Sequence, residues 1–188
     1  MCVIALKYFK DSGFVGVKNR DRNYKPIVHI RQSFRNDIER LYIWDEKTKY
    51  TEGLNEFGIA VLSAAVMVKD DEREGELESS KPGWMSPDGK KIRTALLENT
   101  IEKVIKSIID ARVVGNTIVF TADKAFIIET AYEELDEETG EPIESSFKVE
   151  KQEIKQSQTC VRTNHGILLP WSGYQDDEDA DEHERDAR

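Results

Sequence analysis

The sequence predicts an α+β fold in which many short strands are accompanied by one amphipathic helix. The helix is predicted at residues 93–112, where apolar residues recur on one helical face: Leu97, Ile101, Val104, Ile105, Ile108 and Ile109. The other apolar runs are short, rich in Val, Ile and aromatic residues, and separated by turn residues, which is typical of strands. We therefore expect the helix to cover a sheet.

The chain begins with a predicted β-hairpin. Residues 2–6 and 14–17 are apolar runs joined by a turn that contains Gly13. Residues 58–68 form a long apolar run that predicts a buried central strand. Further strands are predicted, in chain order, at residues 27–30, 41–44, 116–121, 125–132, 146–151 and 159–163.

Two charged segments set the predicted domain limits. Residues 69–91 are rich in Asp, Glu, Ser, Gly and Pro and predict a mobile loop. Trp84 within it either packs over a substrate as a lid or only pins the loop. Residues 176–188 hold eight acidic residues and two arginines, and they predict a disordered acidic tail. The sequence thus indicates one domain over residues 1–175, followed by the tail.

Composition excludes several classes of function. The net charge of −10 and the lack of a basic stripe argue against nucleic-acid binding, and no apolar run reaches the roughly 20 residues of a membrane span. Only two cysteines occur and no signal peptide is recognisable, so we expect a cytoplasmic protein with free thiols. Three histidines without ligand-like spacing and no Gly-rich phosphate loop predict neither a metal nor a cofactor.

Cys2 is the candidate catalytic residue, because it directly follows Met1. An aminopeptidase that removes Met1 would leave a thiol nucleophile beside its own α-amine, a base with a pKa of about 7.7–8.0. The predicted hairpin returns Lys18, Arg20 and Asp21 to the same end of the chain. Asp21 can orient the amine, and Arg20 or Lys18 can favour the thiolate. The alternative is that the second strand of the hairpin simply ends in a solvated polar turn with no catalytic role. Cys160 is expected to be a core residue, since a disulfide to Cys2 would block the nucleophile.

Several segments, taken in order, resemble cysteine N-terminal nucleophile (Ntn) hydrolases of the choloylglycine hydrolase and penicillin acyltransferase-like group. These are Met1-Cys2 with its hairpin, Asn19-Arg20-Asp21, residues 53–60 (Gly-Leu-Asn-Glu-Phe-Gly-Ile-Ala), the helix at 93–112, the strands at 116–123 and 126–129, and Thr163-Asn164-His165. The resemblance spans roughly residues 2–171.

This resemblance implies a four-layer αββα sandwich and an amidohydrolase or acyltransferase that acts on a linear amide through a Cys2 thioester. It implies that Asn164 and a backbone N–H at Ala65 stabilise the oxyanion, and that Asn55 and Trp84 contact a small-molecule amide or acyl substrate.

Two departures from the family pattern leave an alternative open. Lys18 stands where the choloylglycine group usually has arginine, and only residues 166–188 follow the Thr-Asn segment, where family members continue further. Either the chain is a shortened homologue, or a homo-oligomer, a partner chain or a lost segment completes the domain. The alternative function is a non-catalytic scaffold or interaction protein that keeps a vestigial site.

Overall fold

Two antiparallel sheets and two helices form three layers in the computed structural model, which describes residues 2–20, 25–66, 87–134, 136 and 142–172. The strands are β1 (Cys2–Phe9), β2 (Gly13–Arg20), β3 (Val28–Arg35), β4 (Ile38–Asp45), β5 (Thr51–Asn55), β6 (Ala60–Ala64), β7 (Gly115–Phe120), β8 (Ala125–Tyr132), β9 (Phe147–Glu153) and β10 (Thr159–Arg162). The helices are α1 (Pro87–Ala95) and α2 (Ile101–Asp110).

The large sheet has seven strands in the order β3-β4-β5-β6-β7-β8-β9, so every neighbour in the sheet is also a neighbour in the chain. The small sheet has the order β10-β1-β2. It brings the last strand of the described chain beside the first, with Ile4 paired to Arg162. This one non-local pairing places the segment after β10 next to Cys2.

Buried apolar side chains on the two faces of the central strands form two separate cores. Val61, Val119 and Ile128 face the helices and pack with the buried residues of α1 and α2. Ile118 and Ile127 face the opposite way and pack against the small sheet. Because successive side chains of a strand point to opposite faces, one sheet serves as the middle layer for both cores.

A glycine lets the small sheet pack closely on the large one. A Cβ on Gly16 of β2 would lie 2.7 Å from the Phe120 ring and 2.8 Å from Leu62 Cδ1. The hairpin turn is also tied to the large sheet, since the N–H of Phe14 donates to the carbonyl of Ala122 over 2.8 Å. These contacts hold β2, and the charged side chains at its end, close to the large sheet.

The predicted αββα sandwich is wrong. The described chain is mainly β, and both of its helices pack on the same face of the seven-stranded sheet, so the outer face of the small sheet has no helical layer among the described residues. The reason lies in periodicity: apolar residues at helical spacing occur only within residues 87–110, and the other described apolar runs form strands.

The single helix predicted at residues 93–112 is two helices. Thr100 has an extended backbone, and its hydroxyl accepts a hydrogen bond from the N–H of Lys103 (3.3 Å), so it caps a new helix. The apolar stripe is confirmed as core, with Ile101, Val104, Ile105 and Ile108 buried. Helix α1 begins at Pro87, inside the segment predicted as a mobile loop, and the rest of that prediction up to residue 86 lies outside the described residues.

The strand predictions are largely confirmed. The first hairpin, the β3–β4 pair and the β7–β8 hairpin form as predicted, and Cys160 is a buried core residue. The central strand is shorter than predicted, covering only Ala60–Ala64. The acidic tail at 176–188 lies outside the described residues. Within the described chain, neither helix has the length and apolar character needed to cross a membrane.

Candidate active site

Cys2 and Asn164 meet where β1 begins and β10 has just ended. The backbone nitrogen of Cys2 donates to Oδ1 of Asn164 over 2.6 Å. Cys2 is half-buried and packs against the core between the two sheets, whereas Asn164 is only 4% exposed. In β2, Arg20 lies directly opposite Cys2. The structure therefore brings three sequence-predicted site residues together.

The other end of the Asn164 amide contacts Ala65. Nδ2 of Asn164 donates to the Ala65 carbonyl, just after β6 of the large sheet. The Asn164 amide thus bridges Cys2 of the small sheet and Ala65 of the large one. The Ala65 carbonyl thus accepts this hydrogen bond and orients Asn164. The role of the Ala65 N–H as an oxyanion donor stays a prediction.

Asn116 fixes the backbone on both sides of Asn164. This fully buried residue of β7 donates from Nδ2 to the carbonyls of Thr163 (2.8 Å) and His165 (2.7 Å). A single side chain therefore holds the residues before and after Asn164, and it removes much of the rotational freedom of that segment.

Glu129 of β8 anchors the chain that flanks this segment. Its carboxylate is 1% exposed, and Oε1 accepts from Nε of Arg162 over 2.8 Å. Oε2 accepts from three consecutive backbone N–H groups, those of Ile167 (2.8 Å), Leu168 (2.5 Å) and Leu169 (3.0 Å). Four donors thus compensate the buried charge, and the turn after Asn164 takes its shape from one carboxylate.

A cluster of charged side chains lies beside Cys2 between the two sheets. Lys18 and Arg20 share the inner face of β2, and both donate to Oε1 of Glu52 in β5. Lys18 also donates to the Ser63 carbonyl, and Arg20 lies 3.9 Å from Oδ2 of Asp45. The side chains of Lys18, Arg20 and Glu52 are 8, 16 and 8% exposed, so these charges are held almost out of water.

Burial dominates the electrostatics of this cluster. It lowers the pKa of Lys18 below the usual lysine value, and Arg20 lowers it further, whereas the charges of Glu52 and Cys2 raise it. Burial also raises the pKa of Tyr50 well above its ordinary range, so this phenol stays neutral. The Tyr50 hydroxyl shares a hydrogen bond with Oγ of Ser63 (2.8 Å), and both cations lie over its ring at 4.8 and 4.6 Å.

Asn55 does not join the site, contrary to the predicted substrate contact. In β5 it alternates with Leu54, which shares the face of Glu52, so Asn55 faces the helices. Its Nδ2 donates to the carbonyls of Leu96 (3.2 Å) and Glu98 (2.8 Å) beyond α1. Its Oδ1 accepts from two N–H groups in the following turn, so the side chain is structural. Asp21 and Trp84 lie outside the described residues.

Sequence reasoning missed three residues of this site: Glu52, Asn116 and Glu129. All three are at most 6% exposed. For Asn116 and Glu129 the available signal was a polar or charged residue inside an apolar strand, because such a residue needs a buried partner. Glu52, in the polar strand Thr-Glu-Gly-Leu-Asn, gave no such signal. The identity of each partner depends on chain segments 32 to 49 residues away, which the sequence pattern does not reveal.

No three or more His, Cys, Asp or Glu side chains in the described ranges are arranged to hold a metal ion. The chain matches no family model, no curated protein and no solved structure. The resemblance to N-terminal nucleophile hydrolases therefore stays a prediction.

Proposed function

We propose that this chain is an N-terminal cysteine amidohydrolase or acyltransferase acting on a linear amide. The observation that supports this most directly is the 2.6 Å hydrogen bond from the Cys2 nitrogen to Asn164 Oδ1, beside the buried cations of β2. Once Met1 is removed, this nitrogen is an α-amine held next to its own thiol, which is the pairing that activates an N-terminal nucleophile.

The proposed reaction has two halves. The Cys2 thiol gives its proton to the α-amine, and the thiolate attacks the carbonyl carbon of the amide. The resulting ammonium then protonates the leaving nitrogen as the C–N bond breaks, which leaves a thioester on Cys2. Water or an acceptor amine attacks the thioester carbonyl, gives its proton to the α-amine and releases Cys2 as the leaving group. Hydrolysis yields a carboxylic acid and an amine.

Asn164 has two tasks in this proposal. Oδ1 holds the Cys2 nitrogen, and Ala65 takes one of the two hydrogens on Nδ2. The second hydrogen is the proposed donor to the oxyanion, and losing one such donor typically costs about 10²–10³ in rate. Lys18 and Arg20 place positive charge beside Cys2.

The proposed compartment is the cytoplasm. Both cysteines of the chain are free thiols, and the proposed nucleophile must stay reduced to act. The proposed substrate is a small molecule or small peptide with a linear amide.

The first test is the intact mass of the purified protein, which is expected to lack Met1. If protein that retains Met1 still formed the Cys2 thioester with a substrate, this would contradict the mechanism, because the α-amine base would not exist.

The second test compares two reactions of the same thiol in Asn164→Ala. Acylation of Cys2 by an activated ester is expected to slow about 10²–10³-fold, because the oxyanion donor is lost. Alkylation of Cys2 by iodoacetamide, which needs a thiolate but no oxyanion donor, is expected to change little. Asn99→Ala, at an exposed position before α2, is the matched control and leaves both rates unchanged. Equal acylation rates in Asn164→Ala and wild type would favour the scaffold function.

A further inference from the structure

One face of the β3–β4–β5 end of the large sheet exposes a set of large apolar side chains, with the hydrogen-bonded pair Gln32 and Glu39 among them. Register places Ile30 opposite Ile43 and Ile43 opposite Glu52, so these side chains share the face on which the small sheet packs. We call this surface the open face; its large apolar side chains are Val28, Ile30, Phe34, Leu41, Ile43 and Leu54, which are 43–74% exposed. A contiguous apolar surface of this kind marks an interaction site in soluble proteins.

The opposite face of the same strands is covered by the chain's own side chains. Arg31 and Lys49 each lie 4.3 Å from the centre of the Trp44 ring. Arg40 and Arg93 approach the Tyr42 ring at 5.8 and 5.9 Å. Within β3, β4 and β5, the exposed large apolar side chains therefore all lie on the open face.

The small sheet is too narrow to cover it. Its β2 edge lies above β5, where Lys18 and Arg20 reach Glu52, and its β10 edge lies above β8, where Arg162 reaches Glu129. β3 and β4 extend beyond β2, which reaches that face of β4 at Asp45 through Arg20 (3.9 Å), and the exposed apolar side chains of β3 and β4 belong to neither core. β2 also ends the small sheet, so its outer backbone groups face the space above the open face.

We propose that a second copy of this chain fills that space, with the open faces of two copies packed together across a two-fold axis. Packed sheets lie about 10 Å apart. The partner's large sheet would therefore lie at the same height as the small sheet, with its β3 edge next to β2. Each copy would supply the strands that the other copy's small sheet lacks, and both copies would gain the same contacts, as a two-fold interface requires.

The exposed area suits such a dimer. A half-exposed large apolar side chain presents on the order of 100 Å², so the six side chains bury roughly 600 Å² per copy, against about 800 Å² per partner in a standard interface. The backbone edges of β2 and β3 add to this. The exposure of Ile30 (74%) and Phe34 (70%), on the outermost strand, exceeds that of Leu41 and Ile43 (both 45%) on the next strand inward. The side chains with no neighbouring strand on one side are thus the most exposed.

The test is the mass of the full-length chain in solution, measured by light scattering after size exclusion. Wild type is expected to have twice the chain mass, and Phe34→Glu and Ile43→Glu are expected to be monomers with native circular dichroism. Val17→Glu is the matched control: Val17 is 61% exposed but lies on the outer face of the small sheet, so this variant should remain a dimer. If the glutamate variants do not fold, the serine variants Phe34→Ser and Ile43→Ser are tested in their place.

Hydrogen exchange locates the interface. In wild type, amides of β2 and β3 are expected to gain protection as protein concentration rises, and in Phe34→Glu they should not. A wild-type monomer at concentrations of about 100 μM, where even a weak interface of this size associates, would overturn the proposal. A dimer that survives every open-face substitution, or one that Val17→Glu dissociates, would also overturn it.

Discussion

Glu129→Gln is expected to be the most damaging single-atom change in the candidate site. In wild type the two carboxylate oxygens accept four hydrogen bonds, one from Arg162 and three from backbone N–H groups. Glutamine has one acceptor oxygen. If this oxygen faces the three N–H groups, the amide NH₂ meets the Arg162 guanidinium; if it is turned round, the NH₂ meets the backbone donors.

The magnitude follows from burial. Glu129 is 1% and Arg162 10% exposed, so the substitution leaves an uncompensated cation almost out of water. Breaking a buried pair in this way costs about 3–5 kcal/mol. A domain is typically stable by about 5–15 kcal/mol, so the variant should still fold but with a much lower unfolding midpoint. Arg162→Met removes the ion pair and the exposed hydrogen bond from Nη1 to the Val161 carbonyl, and it is expected to cost less, because three N–H donors still stabilise the carboxylate.

The assay is urea unfolding followed by tryptophan fluorescence, with Cys2 acylation as a second measurement. Acylation should slow in Glu129→Gln, because the turn after Asn164 loses its anchor. The matched control is Glu133→Gln, which breaks an exposed pair with Lys148 (48 and 46% exposed) and should cost less than about 1 kcal/mol. A loss below about 1 kcal/mol in Glu129→Gln would refute the reasoning, because four bonds to one buried carboxylate would then carry no net stability.

Two further predictions concern the thiols and the buried lysine. Cys2 should react with iodoacetamide much faster than Cys160, because Cys160 is 6% exposed and burial raises its pKa; peptide mapping after a short pulse measures both rates, and equal labelling would argue against Cys2 as the nucleophile. For Lys18, the folded-state pKa lies below the unfolded value of 10.5, so the folded state binds fewer protons and its stability should rise as pH increases between the two values. The advantage of wild type over Lys18→Met in unfolding free energy should therefore grow towards pH 10.5; a pH-independent difference between the two proteins would contradict the lowered pKa.

The local elements follow from short stretches of the sequence. Apolar runs and turn residues near the start predicted the hairpin of β1 and β2, and two short apolar runs around a polar turn predicted β7 and β8. The helical spacing of Ile101, Val104 and Ile108 predicted which face of α2 is core. These features depend on residues within a few positions of one another, so a single chain segment carries the whole signal.

The stacking of the layers, in contrast, depends on contacts between distant parts of the chain. The sequence suggested one long helix and an αββα sandwich, whereas Thr100 begins a second helix and both helices cover one face of the large sheet. Neither result could be found from periodicity, which says that a face is buried but not what buries it.

The site shows the same division. Cys2, Arg20 and Asn164 were singled out from the sequence, but the antiparallel pairing of β10 with β1 is what brings Asn164 to Cys2, 162 residues away in the chain. Asn55 was placed in the site, yet a one-residue step along β5 directs it to the helices while Glu52 joins the cations. Strand register and the pairing of buried charges are non-local, so the folded chain alone decides which polar residues meet.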